Sequence, residues 1–130
     1  MEKVITLLID LCNKTKINKA IWNSIDNGFI IKFKGKSYLT LSAYNDNSIF
    51  VVNIYNDRGQ LIKNIDTESY NDENYIFYKT CLELYNVIHD KYYKVEETID
   101  NILNDLMSTD TKIGDADFNP FKKDDDELPF

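Results

Sequence analysis

Proline is nearly missing from this chain. Its 130 residues hold two, Pro120 and Pro129, and both fall in the last eleven positions. Everything before them lacks the residue that most strongly interrupts helices and central strands. Glycine is scarce too: four residues with no Gly-rich cluster, which excludes a phosphate-cradling loop. The single histidine, His89, leaves no His pair for metal or acid–base chemistry. It falls near the end of a helical segment, where a structural role beside the helix dipole is expected.

Cysteine is limited to Cys12 and Cys81. Each sits in a helix-like apolar pattern, so both are expected as buried free thiols of a reducing compartment rather than a disulfide framework. Neither has a metal-ligand partner at useful spacing. No apolar run approaches membrane-spanning length. Glu2, Lys3 and Asp10 place charges where a secretory leader would be apolar, so the expected location is cytoplasmic. Glu96, Glu97 and Asp100 read as the wet face of a helix. No hydrolase or kinase nucleophile signature occurs. The expectation is a non-enzymatic protein with no cofactor and no metal.

What is abundant is charge, unevenly placed. Residues 1–63 hold nine basic and five acidic residues, net +4; residues 64–130 hold six and seventeen, net −11. Such a split points to nucleic-acid contact in the basic half.

Periodicity predicts an α+β fold. A helix is expected over 2–22, with a break near 13–15. Four strands follow at 29–34, 37–44, 49–55 and 61–65, separated by short turn-forming segments, which implies an antiparallel meander. After a polar loop at 66–73, helices are expected over 74–90 and 95–107. Apolar periodicity stops at Ser108. The expected organisation is a compact domain over 1–107 and a disordered acidic tail over 108–130.

Single strands are held by bases stacked on aromatic rings while Lys and Arg track phosphates. If Gly35-Lys36 is a two-residue hairpin turn, Phe33 lies opposite Tyr38. One sheet face then shows Phe29, Ile31, Phe33, Tyr38 and Thr40, and the other Ile30, Leu39, Leu41 and Ala43. Phe29, Lys32, Phe33, Lys34, Lys36 and Tyr38 are the candidate nucleic-acid-binding residues, with Lys14, Lys16 and Lys19 on the first helix. A one-residue change of register would exchange the faces. An aromatic face of this kind also suits a homodimer interface.

The chain closes on Asp124, Asp125, Asp126, Glu127, Leu128, Pro129 and Phe130. Phe130 would offer an apolar ring and an α-carboxylate on one residue. A partner needs an apolar pocket for the ring and a basic side chain at its rim for the carboxylate. Pro129 restricts Leu128, so less order is lost on docking. The four acids steer the tail toward a basic surface.

This ending resembles the C-terminal tip of bacterial single-stranded-DNA-binding proteins, and Asp117-Phe118-Asn119-Pro120-Phe121 resembles the linker before it. In that family the tip recruits replication, recombination and repair proteins. The resemblance covers about fourteen residues. That family begins with strands and builds an OB barrel, whereas a helix comes first here, so its DNA-binding residues have no counterparts in this body. The resemblance implies docking on host proteins with a tip-binding pocket, and the basic half suggests single-stranded DNA as a second partner; no membrane partner is expected. The alternative is a decoy or adaptor that diverts a repair or defence enzyme without binding DNA. Abundant Asn, Ile, Lys and Tyr suit an AT-rich genome, and a short chain with a borrowed tip suits a phage or mobile element.

Overall fold

The computed structural model describes residues 1–68, 75–108 and 112–121. Contacts divide the chain into two compact units, Met1–Glu96 and Glu97–Phe130. Among the described residues it forms α1 (Glu2–Lys16), β1 (Asn23–Ile25), β2 (Gly28–Lys32), β3 (Tyr38–Tyr44), β4 (Ile49–Tyr55), β5 (Leu61–Asp66), α2 (Tyr75–Tyr92) and α3 (Val95–Met107). The expected α+β architecture is present, with a correction: the antiparallel sheet has five strands, in the order β1-β2-β3-β4-β5. The loop expected at 66–73 lies mostly outside the described residues.

The extra strand follows from an earlier end to the first helix. Asn18 adopts φ 62°, its N–H donates to Thr15 O (3.0 Å), and the Lys19 N–H donates to Lys14 O (2.8 Å). These two bonds form a Schellman cap, with Asn in the left-handed position that glycine usually fills. The apolar Ile17, Ile21 and Trp22, which extend the helical pattern in sequence, therefore lie beyond α1. Thr15 and Trp22 secure the reversal: Trp22 Nε1–H donates to Thr15 Oγ1 (3.0 Å), and the Thr15 hydroxyl donates to Leu11 O (2.6 Å). Both side chains are buried, so each polar atom is satisfied inside the core. Strand β1 is three exposed residues long, too short to show a period of two.

One face of the sheet carries the core. Val4, Leu8, Leu11 and Cys12 of α1 and Phe77, Cys81, Leu84 and Ile88 of α2 fall at helical spacing and are buried. Leu39, Leu41 and Ala43 of β3 and Phe50 and Val52 of β4 meet them from the sheet. Ile76, adjacent to the α2 seam, points outward and is 61% exposed. At Gly28, paired with Ser42, a Cβ would collide with the Leu41 carbonyl oxygen and lie 2.7 Å from Ser42 Cα. Only glycine lets β2 approach β3 this closely.

Two hairpins share one loop design. Lys36 N–H donates to Phe33 O (2.9 Å) and Phe33 N–H to Ser37 O (2.8 Å); Gly59 N–H donates to Asn56 O (3.0 Å) and Asn56 N–H to Gln60 O (3.0 Å). Each is a three-residue loop: a turn followed by a left-handed residue. In the β4–β5 loop that residue is Gly59 (φ 77°); in the β2–β3 loop it is Lys36 (φ 73°), although Gly35 is its neighbour. A left-handed non-glycine residue is strained. Lys36→Gly is therefore expected to stabilise the protein by about 0.5–1 kcal/mol, and Gly59→Ala to destabilise it by about 1 kcal/mol or more. Urea titrations of the two variants would measure this, and shifts of the same sign would contradict the shared loop design.

Candidate nucleic-acid interface

The three-residue loop sets the strand register, and the register decides which side chains can meet a ligand. Lys32 pairs with Tyr38, Ile31 with Leu39 and Phe29 with Leu41. The expected pairing of Phe33 with Tyr38 is displaced by one residue, which exchanges the faces of β2. Phe29 and Ile31 lie in the core. The Phe29 ring sits 5.5 Å from those of Tyr85 and Tyr92, and it is 3% exposed. Phe33 is partly buried against the same core. The aromatic platform expected from Phe29, Phe33 and Tyr38 is thus not formed: two rings face the helices and Tyr38 faces the other way. The expected inward positions of Leu39, Leu41 and Ala43 are observed, while Ile30 joins Tyr38.

The face turned away from α1 and α2 has its own order. Tyr38 stacks on Tyr55, its partner on β4, with ring centroids 4.5 Å apart and planes 14° from parallel. The Asn64 side-chain amide donates to Asn53 Oδ1 (2.6 Å). Ile30, Lys32, Lys36 and Tyr38 border a shallow hollow of about 350 Å³, closed at the far side by Asp57 and Gly59.

A second hollow, about 410 Å³, lies where the end of α1 and the 19–21 segment meet β2. Leu11, Ala20, Ile21, Ile31 and Phe33 form its apolar part, and Lys14, Lys19, Lys32 and Lys34 surround it. No acidic residue lines it. The four lysines are exposed, so their charges are hydrated and available to an anion. The Schellman cap of α1 brings Lys14 and Lys19 to this place. Their proximity to Lys32 and Lys34 cannot be read from sequence spacing, because it arises from the chain reversal at Asn18. The sequence-expected residues therefore divide. Lys32, Phe33 and Lys34 border this groove, Lys32, Lys36 and Tyr38 border the hollow on the other face, and Phe29 borders neither.

Lys16 points elsewhere and bonds Glu83 on α2 at 3.0 Å. This bond holds the Glu83 carboxyl below its usual range and raises the Lys16 ammonium. Cys12 and Cys81 are buried free thiols, as expected. His89 Nδ1 lies 3.7 Å from Asp90 Oδ1, and its ring is 4.8 Å from that of Tyr93. Among the described residues no group of three or more His, Cys, Asp or Glu side chains could hold a metal ion, and no helix is long and apolar enough to cross a membrane.

Residues 112–121 form turns, with Asp117 N–H donating to Asp115 Oδ1 and Phe121 N–H to Asn119 Oδ1, both at 2.9 Å. Phe118 and Phe121 are exposed. The tip, Asp124 to Phe130, lies outside the described residues, as do 109–111 of the expected disordered tail. Comparison with known proteins yields no match to a family model, a curated protein or a solved structure.

Burial pushes the Cys81 thiol up to about 12 from an ordinary 9.0, so the folded state favours the neutral thiol. The resulting stabilisation is complete below about pH 9 and is lost as pH rises toward 12, by up to about 1.4 kcal/mol per pH unit. Between pH 9 and 11 the urea midpoint of the wild-type chain is expected to fall more steeply than that of Cys81→Ala. Parallel slopes would show that Cys81 is not the group being titrated.

Proposed function

We propose that this chain is a non-enzymatic accessory of DNA replication, recombination or repair. Its Asp124–Phe130 segment docks on proteins that recognise the tip of single-stranded-DNA-binding proteins, and its basic body holds single-stranded DNA. The ending Asp-Asp-Asp-Glu-Leu-Pro-Phe carries the proposal. It combines an acidic run, a restricted backbone and an aromatic residue suited to carboxylate capture. Capture requires Phe130 to be the last residue of the chain.

The groove beside β2 supports the DNA-binding part. Lys14, Lys19, Lys32 and Lys34 offer phosphate contacts around an apolar floor, and the partly buried Phe33 gives bases an apolar edge. Tyr38 and Tyr55 add stacked rings on the opposite face, beyond Lys36. A non-OB single-stranded-DNA-binding protein of a phage or mobile element, located in the cytoplasm, fits these features.

The burial of Phe29 favours a second reading. With one expected platform ring in the core, fewer aromatic surfaces remain for bases. A decoy or adaptor, whose tip diverts a host repair or defence enzyme while its body binds no DNA, needs none.

One measurement tests the docking that both readings share, and a second separates them. Deleting Phe130, or extending the chain past it by Ser-Gly, is expected to abolish binding to a purified tip-binding exonuclease while leaving the fold unchanged. Undiminished binding would sink the docking proposal. Fluorescence anisotropy with labelled single-stranded DNA is expected to show salt-sensitive binding. Replacing Lys32 and Lys34 with Ala should flatten the log-affinity against log-salt slope by up to about 1.4, at about 0.7 per lost phosphate contact. Absence of DNA binding by the wild-type chain, with tip docking intact, would establish the decoy or adaptor reading instead.

A further inference from the structure

Helix α3 has an apolar stripe that its own unit leaves open. Ile99, Ile102, Leu103 and Leu106 recur at i, i+3, i+4 and i+7, on one helical face. Their exposure is 46–53%, and no residue of α3 is buried. A 13-residue helix gains little from propensity alone and normally depends on packing of its apolar face. A stripe of this kind marks a surface for a partner.

The charges on α3 narrow the choice of partner. Glu96, Glu97, Asp100 and Asp105 are all acidic, and the helix has no Lys or Arg. Pairing with the same helix of a second copy would bring like charges together. Nucleic acid and anionic lipid would be repelled. A protein groove with an apolar floor and basic rim complements both the stripe and the acids, in the helix-in-groove mode. The tip sequence asks for the same chemistry: Leu128 and Phe130 beside four acids. Sixteen residues, 108–123, connect α3 to the tip. A chain of that length spans at most about 55 Å, enough to reach across a single domain.

We infer that α3 is a second anchor for the protein that receives the tip. The stripe seats in a basic-rimmed groove while Phe130 occupies its pocket on the same partner. This inference rests on the tip-docking proposal. Joining two anchors makes the second contact intramolecular, so the full chain binds more tightly than the tip alone.

The test is calorimetric titration of a purified bacterial exonuclease that binds the tip of single-stranded-DNA-binding proteins. It compares a synthetic peptide of residues 118–130, the full chain, and the full chain carrying Leu103→Gln and Leu106→Gln. The full chain is expected to bind at least tenfold more tightly than the peptide. The double variant should fall to the peptide's affinity, with unchanged helix content by circular dichroism. A second variant, Glu96→Gln, Glu97→Gln and Asp100→Asn, should keep the stripe and lose salt sensitivity and part of the gain. Equal affinities for chain and peptide, or full affinity in the leucine double variant, would overturn the second anchor and leave tip docking standing. No binding by either peptide or chain would remove tip docking and this inference together. Sedimentation that shows self-association, abolished by the leucine substitutions, would assign the stripe to a second copy and also overturn the inference.

Discussion

The hydrogen bond from Phe33 N–H to Ser37 O closes a three-residue loop and sets the parity of β2 against β3. Because side chains alternate along a strand, a slip of one residue would turn the whole of β2 over. Lys32 would then face α1 and α2, and Phe29 would face outward. Burying an unpaired ammonium costs far more than a hydrophobic side chain gains. Loop geometry and burial therefore choose the same register. Gly28 reinforces it, because the close approach to Leu41 and Ser42 tolerates no side chain there.

That register gives the two sheet faces different work. The face beneath α1 and α2 takes Phe29 into a ring cluster with Tyr85, Tyr92 and Tyr93 and becomes core. The lysines of the β2–β3 hairpin are left exposed at its rim. The basic groove depends on a second local event, the left-handed Asn18 that ends α1. Once the chain reverses there, Lys14 and Lys19 border the groove with Lys32 and Lys34. The buried Trp22–Thr15–Leu11 bonds hold that reversal in place. Mutations in this polar chain would disturb the groove without touching a lysine.

Basic and acidic residues are thereby divided along the chain. The lysines that border the groove belong to α1, the following segment and β2, all within Met1–Glu96. The acids of α3 and the tip sequence are suited to protein grooves and pockets rather than to phosphate. Under the proposed function, one part of the molecule holds a strand and the other recruits.

Much of the fold was legible because periodicity carries it. The buried stripe of α2, apart from the outward Ile76, and the full extent of α3 follow from apolar spacing, and the turn at Asn45, Asp46 and Asn47 follows from residues that tolerate left-handed backbone, which all three adopt. Strand β1 was not legible, because three polar-to-mixed residues carry no period. The C-terminal end of α1 and the faces of β2 depart from the sequence pattern for one shared reason: a left-handed residue other than glycine, Asn18 in one case and Lys36 in the other. The acidic, Phe-ended tip is a matter of sequence alone, since its chemistry resides in consecutive residues. The groove is a matter of tertiary structure alone, since four lysines from separate segments meet only after backbone reversals that local sequence preference does not dictate.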